Sequence, residues 1–179
     1  SNGSGCGNET ASEMPMFKKF MIDSTEFLAK EYKLGGFRFD LMALHDLDTM
    51  NKLDANLKTI NKDIVVYGEP WTGGTSMLPA SQSCAQANGN SYVGYGQFND
   101  QYRDALIKGG MNGASSRGWV NTETATDAAD LERIKGGIRG FTDFGTGTRI
   151  ADPNKTVNYV TCHDNYTLYD RMEAAGVKG

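Results

Sequence analysis

A chain of 179 residues, 39% hydrophobic and 22% charged, is long enough to bury one sizeable core and too apolar to be disordered throughout. Its formal charge of -4 argues against nucleic acid as a partner, because phosphate-rich surfaces need clustered Lys and Arg; a neutral ligand fits better. No apolar run approaches the roughly 18 residues that cross a bilayer, and the first residues lack the basic-then-apolar layout of a secretion signal, so no membrane partner is expected and the compartment, cytoplasmic or secreted, stays open.

Residues 1–15 are polar and glycine-containing and read as an irregular loop. From Pro15 to Lys33, Phe17, Phe20, Met21, Phe27 and Leu28 fall on one face at helical spacing, and Gly35-Gly36 supplies the stop. Gly36 to Leu41 is short and Phe-rich, as suits a buried strand. Asp46 or Asp48 then caps a predicted helix whose Met50, Leu53, Leu57 and Ile60 recur at helical spacing. Ile64-Val65-Val66-Tyr67 is a continuous β-branched and aromatic run, the mark of a parallel strand covered on both faces. The tract from Gly73 to Gly96, rich in Gly, Ser, Asn and Gln, predicts long connecting loops. Beyond it come a weak strand at Tyr95 to Phe98 and a short helix at Asp100 to Lys108 with Tyr102 and Leu106 inward. Residues 110–126 have little periodicity. A helix from Asp127 to Lys135 is stopped by Gly136-Gly137, a strand covers Thr156 to Thr161, and a last helix runs from Tyr166 to Ala175. Strands alternating with helices give an α/β fold with a parallel sheet. A closed (β/α)8 TIM barrel takes about 250 residues, so about four βα units over 16–179 read as part of one catalytic barrel, its middle-to-late strands.

Three carboxylate-bearing stretches close apolar runs: Arg38-Phe39-Asp40, Gly68-Glu69-Pro70-Trp71 and His163-Asp164-Asn165. Carboxylates at the C-terminal ends of successive parallel strands converge on one cleft, which is how a barrel assembles a catalytic site from distant residues. Arg38 and Asp40 share one strand face and Phe37 and Phe39 the other, so the aromatics can face the helices while the charged pair faces the barrel axis. A guanidinium favours the ionised form of a neighbouring Asp, as a nucleophile needs, although an isolated R-x-D is more often a structural ion pair. Glu69, with Trp71 close by, is expected in an apolar surround that suits a general acid, with a solvent-reaching strand-end Glu as the plain alternative. His163, Asp164 and Asn165 offer hydrogen bonds of the kind sugar hydroxyls use, or else initiate the following helix. His45, Asp46, Asp48, His163 and Asp164 match no metal-binding spacing, so a metal on them is only a minor alternative, and Cys6, Cys84 and Cys162 are too few and scattered for a disulfide framework or a zinc site; no metal and no cofactor are expected.

Together these stretches resemble the conserved regions of the α-amylase-type glycoside hydrolases, and the surrounding sequence is similar to the type I pullulanase branch. The likeness is carried by Gly5-Cys6-Gly7-Asn8-Glu9 with Ala11-Ser12-Glu13, by Gly36 to Met42 with Leu44-His45-Asp46, by Tyr67 to Trp71, by Phe98-Asn99-Asp100 and by His163-Asp164-Asn165. It covers nearly the whole chain. The resemblance implies a retaining hydrolase of α-1,6-glucosidic branch linkages in pullulan, glycogen or starch, with an α-glucan as partner. Asp40 would be the nucleophile, Glu69 the acid and base, and Asp164 the third acid gripping the distorted sugar. His163 and Arg38 would support that subsite, with Trp71 and Asn165 as further sugar contacts. The family's earlier conserved region, an Asp and an Asn-His pair, has no counterpart in residues 1–179. Two alternatives stand beside this reading: an α-1,4-acting amylase-type hydrolase and a noncatalytic carbohydrate-binding segment. An open half-barrel would leave strand edges and an apolar face uncovered, so the isolated chain is expected to self-associate.

Overall fold

The computed structural model describes all residues except 123–126, 141, 144–148, 151 and 178–179. They form two compact units, Ser1–Gln97 and Phe98–Gly179. The first carries helix α1 (Pro15–Glu31), strand β1 (Gly36–Phe39), helix α2 (Leu47–Ile60) and strand β2 (Val65–Gly68), and it ends within strand β3 (Gly96–Asn99). The second carries α3 (Asp100–Ile107), α4 (Ala128–Ile138), β4 (Thr142–Asp143), β5 (Arg149–Ile150), β6 (Thr156–Asn158) and α5 (Leu168–Ala174). The strand order is β1-β2-β3-β6, and β1 with β2 and β2 with β3 pair in parallel. The expected α/β class with a parallel four-stranded sheet is therefore what the chain adopts. Strands β4 and β5 form a separate antiparallel pair that the sequence pattern does not announce. The last four residues of the unpatterned stretch 110–126 lie outside the described ones. No helix among the described residues is long and apolar enough to cross a membrane.

In the first unit α2 behaves as its spacing predicts. Asp46 is the N-cap and accepts the Thr49 amide at 2.9 Å. The fully buried Ser12 donates its hydroxyl to Asp46 and accepts the Asp46 amide, both at 2.7 Å, which ties the N-terminal loop to the start of α2. Met50, Leu53 and Leu57 are completely buried, and each side chain removed from water contributes about 1.5–3 kcal/mol. Helix α1 differs from expectation. Its buried residues are Met21, Thr25 and Ala29, one turn apart, while Phe20 and Phe27 are 64% and 56% exposed. The stripe against α2 is thus the slender one, and the Thr25 hydroxyl is satisfied by the Met21 carbonyl at 2.9 Å. The polar tract after β2 also contributes more than a loop: Cys84, Tyr92 and Tyr95 join the core, the two rings stacked with centroids 4.5 Å apart.

In the second unit Gly136-Gly137 does not stop α4, which runs on to Ile138. A Cβ at Gly137 would stand 2.3 Å from the Tyr102 ring, so glycine is there to let α3 and α4 approach closely. Among the described residues the apolar core is Ala105, Leu106, Ile107 and Ile134, with Tyr102, Val160 and Met172 at its margin. Its largest fully buried side chain is a cation. Arg171 of α5 donates through Nε to the Ile107 carbonyl at 3.1 Å and through Nη2 to the carbonyls of Lys108 and, at 3.0 Å, Ser116. The bonds to Ile107 and Lys108 secure carbonyls at the C-terminal end of α3, where positive charge is favoured.

Candidate active site

The first two carboxylates sit side by side because β1 and β2 run parallel in register. Phe39 pairs with Gly68, and the Glu69 amide donates to the Phe39 carbonyl at 3.0 Å. Gly68 makes this approach possible, since a Cβ there would meet the Phe39 carbonyl oxygen at 2.7 Å and Met42 at 2.8 Å. Phe37 and Phe39 pack against the core cluster, which leaves Arg38 and Asp40 on the opposite strand face.

Arg38 bridges both acids. One guanidinium nitrogen, Nη1, pairs with Asp40 Oδ1, and Nη2 donates to Glu69 Oε1 at 2.7 Å. The second Glu69 oxygen accepts the Leu41 amide at 2.7 Å. Both oxygens of this buried carboxyl are therefore taken up by donors, and the apolar surround expected for it is replaced by a cation and a main-chain N–H. The pattern predicts Arg38 beside Asp40; that it also reaches Glu69 follows only from strand register. The two acids differ sharply in access: the Asp40 side chain is 69% exposed and that of Glu69 6%. An exposed carboxylate is free to reach a reacting atom, while a buried and doubly held one keeps a fixed position.

Leu41 escapes sequence reasoning. It adopts a left-handed backbone conformation, φ 42° and ψ 48°, which costs a bulky residue energy and is normally signalled by Gly or Asn. This turn points the Leu41 amide at Glu69 and ends β1 at the residue that precedes Asp40. Trp71 follows two residues after Glu69 and is half-buried. Asp46 and His45, weighed as metal ligands, serve the fold instead. Burial works to raise the Asp46 pKa, but the hydrogen bonds from Thr49 and Ser12 prevail and hold it below its ordinary value. Burial pushes the His45 imidazole down to about 4, so it is neutral at pH 7, its ring set edge-on to Phe39.

In the second unit His163, Asp164 and Asn165 lie on the exposed loop between β6 and α5. The cap of α5 is Thr167, whose hydroxyl accepts the Asp170 amide at 3.2 Å, so neither Asp164 nor Asn165 is used to start that helix. Asn165 is left-handed, φ 64°, and His163 Nε2 lies 3.6 Å from Asp164 Oδ1. Beside this loop, Arg103, Arg171, Val160, Asp164 and Tyr166 help to line a cavity of about 20 Å³, room for about one water and far too small for a sugar.

No family model matches the chain. Pullulanase of Bacillus subtilis (strain 168) is 35% identical over 178 residues, which is 98% of this chain and 24% of that protein. Among solved structures, pullulanase from Bacillus acidopullulyticus aligns with a TM-score of 0.83 and 41% identity over 98% of this chain and 20% of its own. Pullulanase from Paenibacillus barengoltzii, in complex with maltohexaose and α-cyclodextrin, aligns with a TM-score of 0.86 and 35% identity over 98% of this chain and 26% of its own. The chain thus spans about a quarter of the length of these relatives. The alignments cover almost the whole chain in sequence and in fold, and the chain is a homologue of part of the pullulanases.

Proposed function

We propose that this sequence carries the nucleophile and the acid/base of a retaining glycoside hydrolase that cleaves α-1,6-glucosidic branch linkages in pullulan, glycogen or starch, and that residues 16–179 are βα units of its barrel. The observation that carries the reading is the Arg38 guanidinium bridging Asp40 and Glu69 at the ends of two adjacent parallel strands. In this mechanism Asp40 attacks the anomeric carbon while Glu69 protonates the departing glycosidic oxygen. The glycosyl-enzyme ester is then opened by water, which Glu69 deprotonates on the way in. Arg38 favours ionised Asp40 before attack and ionised Glu69 once that residue has given up its proton, while holding the two groups in line. Asp164, with His163, grips hydroxyls of the distorted sugar, and Trp71 and Asn165 add sugar contacts. Similarity to a pullulanase crystallised with maltohexaose supports an α-glucan oligosaccharide or polysaccharide as the ligand.

The test is hydrolysis by the full-length protein. Pullulan is expected to be cleaved, and Asp40→Asn and Glu69→Gln each lower turnover by at least about a thousandfold, as loss of a group acting in the transition state does. Sugars released from amylose with none from pullulan would replace this reading by α-1,4 chemistry, and full turnover in the Asp40→Asn protein would end it. For the isolated chain we propose self-association. Met16, Phe20, Phe27 and Tyr32 of α1 and its C-terminal cap are more than half exposed, an apolar face of the kind that association covers. Sedimentation is expected to show oligomers, and a monodisperse monomer would refute it.

A further inference from the structure

Cys162, His163 and Asp164 are consecutive, exposed, and arranged so that one thiol sulfur, one imidazole nitrogen and one carboxylate oxygen all lie within 4.8 Å of one another. Along an extended strand the middle residue of three would point away from its neighbours. Here the backbone bends at residues 163–165, and the three donors converge. His163 Nε2 is already 3.6 Å from Asp164 Oδ1, and Cys162 is a free thiol. Around a tetrahedral zinc ion, with bonds of about 2.0–2.3 Å, two ligand atoms stand roughly 3.5 Å apart, so the donors need close by only about 1 Å, within reach of side-chain rotation.

We propose that these three residues form a binding site for a divalent cation of the zinc class. The donor set decides the class. Thiolate and imidazole suit zinc, whereas calcium and magnesium require oxygen ligands. Three protein ligands on a solvent-facing loop leave the fourth position to water. Binding replaces the thiol proton of Cys162 with the metal, the proton passing to buffer, and no oxidation state changes. This departs from the expectation that the cysteines are too few and scattered for a zinc site, because the bend at residues 163–165 lets one cysteine share its donors with a histidine and an aspartate. A consequence rests on the function proposed above: if His163 and Asp164 grip the sugar, zinc at this loop occupies the same atoms and competes with substrate.

Titration with zinc sulfate tests the site itself. One zinc per chain is expected, with proton release, and Cys162→Ser weakens binding at least tenfold while Cys6→Ser, which alters the other exposed cysteine, leaves it unchanged. Cobalt in place of zinc gives a sulfur-to-metal charge-transfer absorption that is present in the wild-type and Cys6→Ser chains and absent in Cys162→Ser. Absence of binding at micromolar zinc, or binding that Cys162→Ser does not weaken, overturns the proposal. The second arm uses pullulan hydrolysis by the full-length protein, each variant being referred to its own zinc-free rate. Inhibition relieved by Cys162→Ser supports both the site and the role of Asp164. Zinc bound through Cys162 without inhibition leaves the metal site standing and removes Asp164 from the substrate grip.

Discussion

The two units hold themselves together by different means. Unit Ser1–Gln97 has an apolar core of eleven buried residues, and two of its buried polar groups, Asp46 and Ser12, tie down the start of α2. Among its described residues, unit Phe98–Gly179 has four buried ones in its apolar cluster, beside which Arg171, a buried cation, reaches three main-chain carbonyls. A unit with the larger apolar core tolerates loss of one polar group better than one whose buried cation ties several carbonyls together. Arg171→Met keeps most of the side-chain volume and removes every donor to Ile107, Lys108 and Ser116. We expect it to destabilise the second unit by about 3 kcal/mol, the scale of losing charge-assisted bonds to buried acceptors. Hydrogen exchange at α3 amides then accelerates by about a hundredfold, while α2 keeps its protection. Equal loss in both helices would break the contrast.

In the first unit the sensitive group is His45. Its pKa falls from 6.5 to about 4 through burial, opposed by the nearby Asp46 charge. A group whose pKa is depressed on folding contributes fully above its unfolded value, and that contribution is lost as pH falls from about 6.5 towards about 4. The first unit is therefore expected to lose about 2–3 kcal/mol between pH 7 and pH 4.5, read from denaturant midpoints. An NMR titration of His45 in the native chain with a midpoint near its ordinary value would remove this account.

Asp46→Ala sharpens the comparison further. It deletes the cap and leaves the fully buried Ser12 hydroxyl without its acceptor, for a loss of about 2 kcal/mol. That exceeds a simple cap deletion, and the additional Ser12→Ala change is expected to add little, because the two residues act as one unit. Independent, additive losses would show that the Ser12 tie contributes separately.

Legibility in the sequence follows the same division. Leu53, Leu57 and the Asp46 cap were readable because periodicity and capping are local rules, and the position of Asp40 and Glu69 at strand ends was readable because each follows an apolar run. What failed depended on neighbours. Phe20 and Phe27 have helical spacing but lie outside the buried stripe of α1, since periodicity reports an apolar face and not which face is covered. Gly136-Gly137 carries the signature of a helix stop, yet Tyr102, some thirty residues away, requires the missing side chain. Nothing local marks Leu41 as left-handed or Arg38 as the bridge to Glu69; both arise from the β1–β2 register. In the second unit the short strands β4 and β5 offered two residues each, too few for any period to declare itself, whereas β6 lies within the strand expected at Thr156 to Thr161.

The smallest expected effect is the one that makes the chemistry testable. Asp40 is mostly exposed, and its structural contact is the ion pair with Arg38, a guanidinium that also holds Glu69. An exposed ion pair contributes about 0–1 kcal/mol, so Asp40→Asn is expected to move stability by less than about 0.5 kcal/mol. Glu69→Gln, buried and accepting two hydrogen bonds, is expected to cost more, because an amide offers Arg38 no charge and turns one acceptor into a donor. If both variants lose turnover equally while only Glu69→Gln loses stability, the loss at Asp40 belongs to the reaction and not to the fold. A large stability loss at Asp40 would make that carboxylate a structural partner of Arg38, and the nucleophile would have to be sought elsewhere.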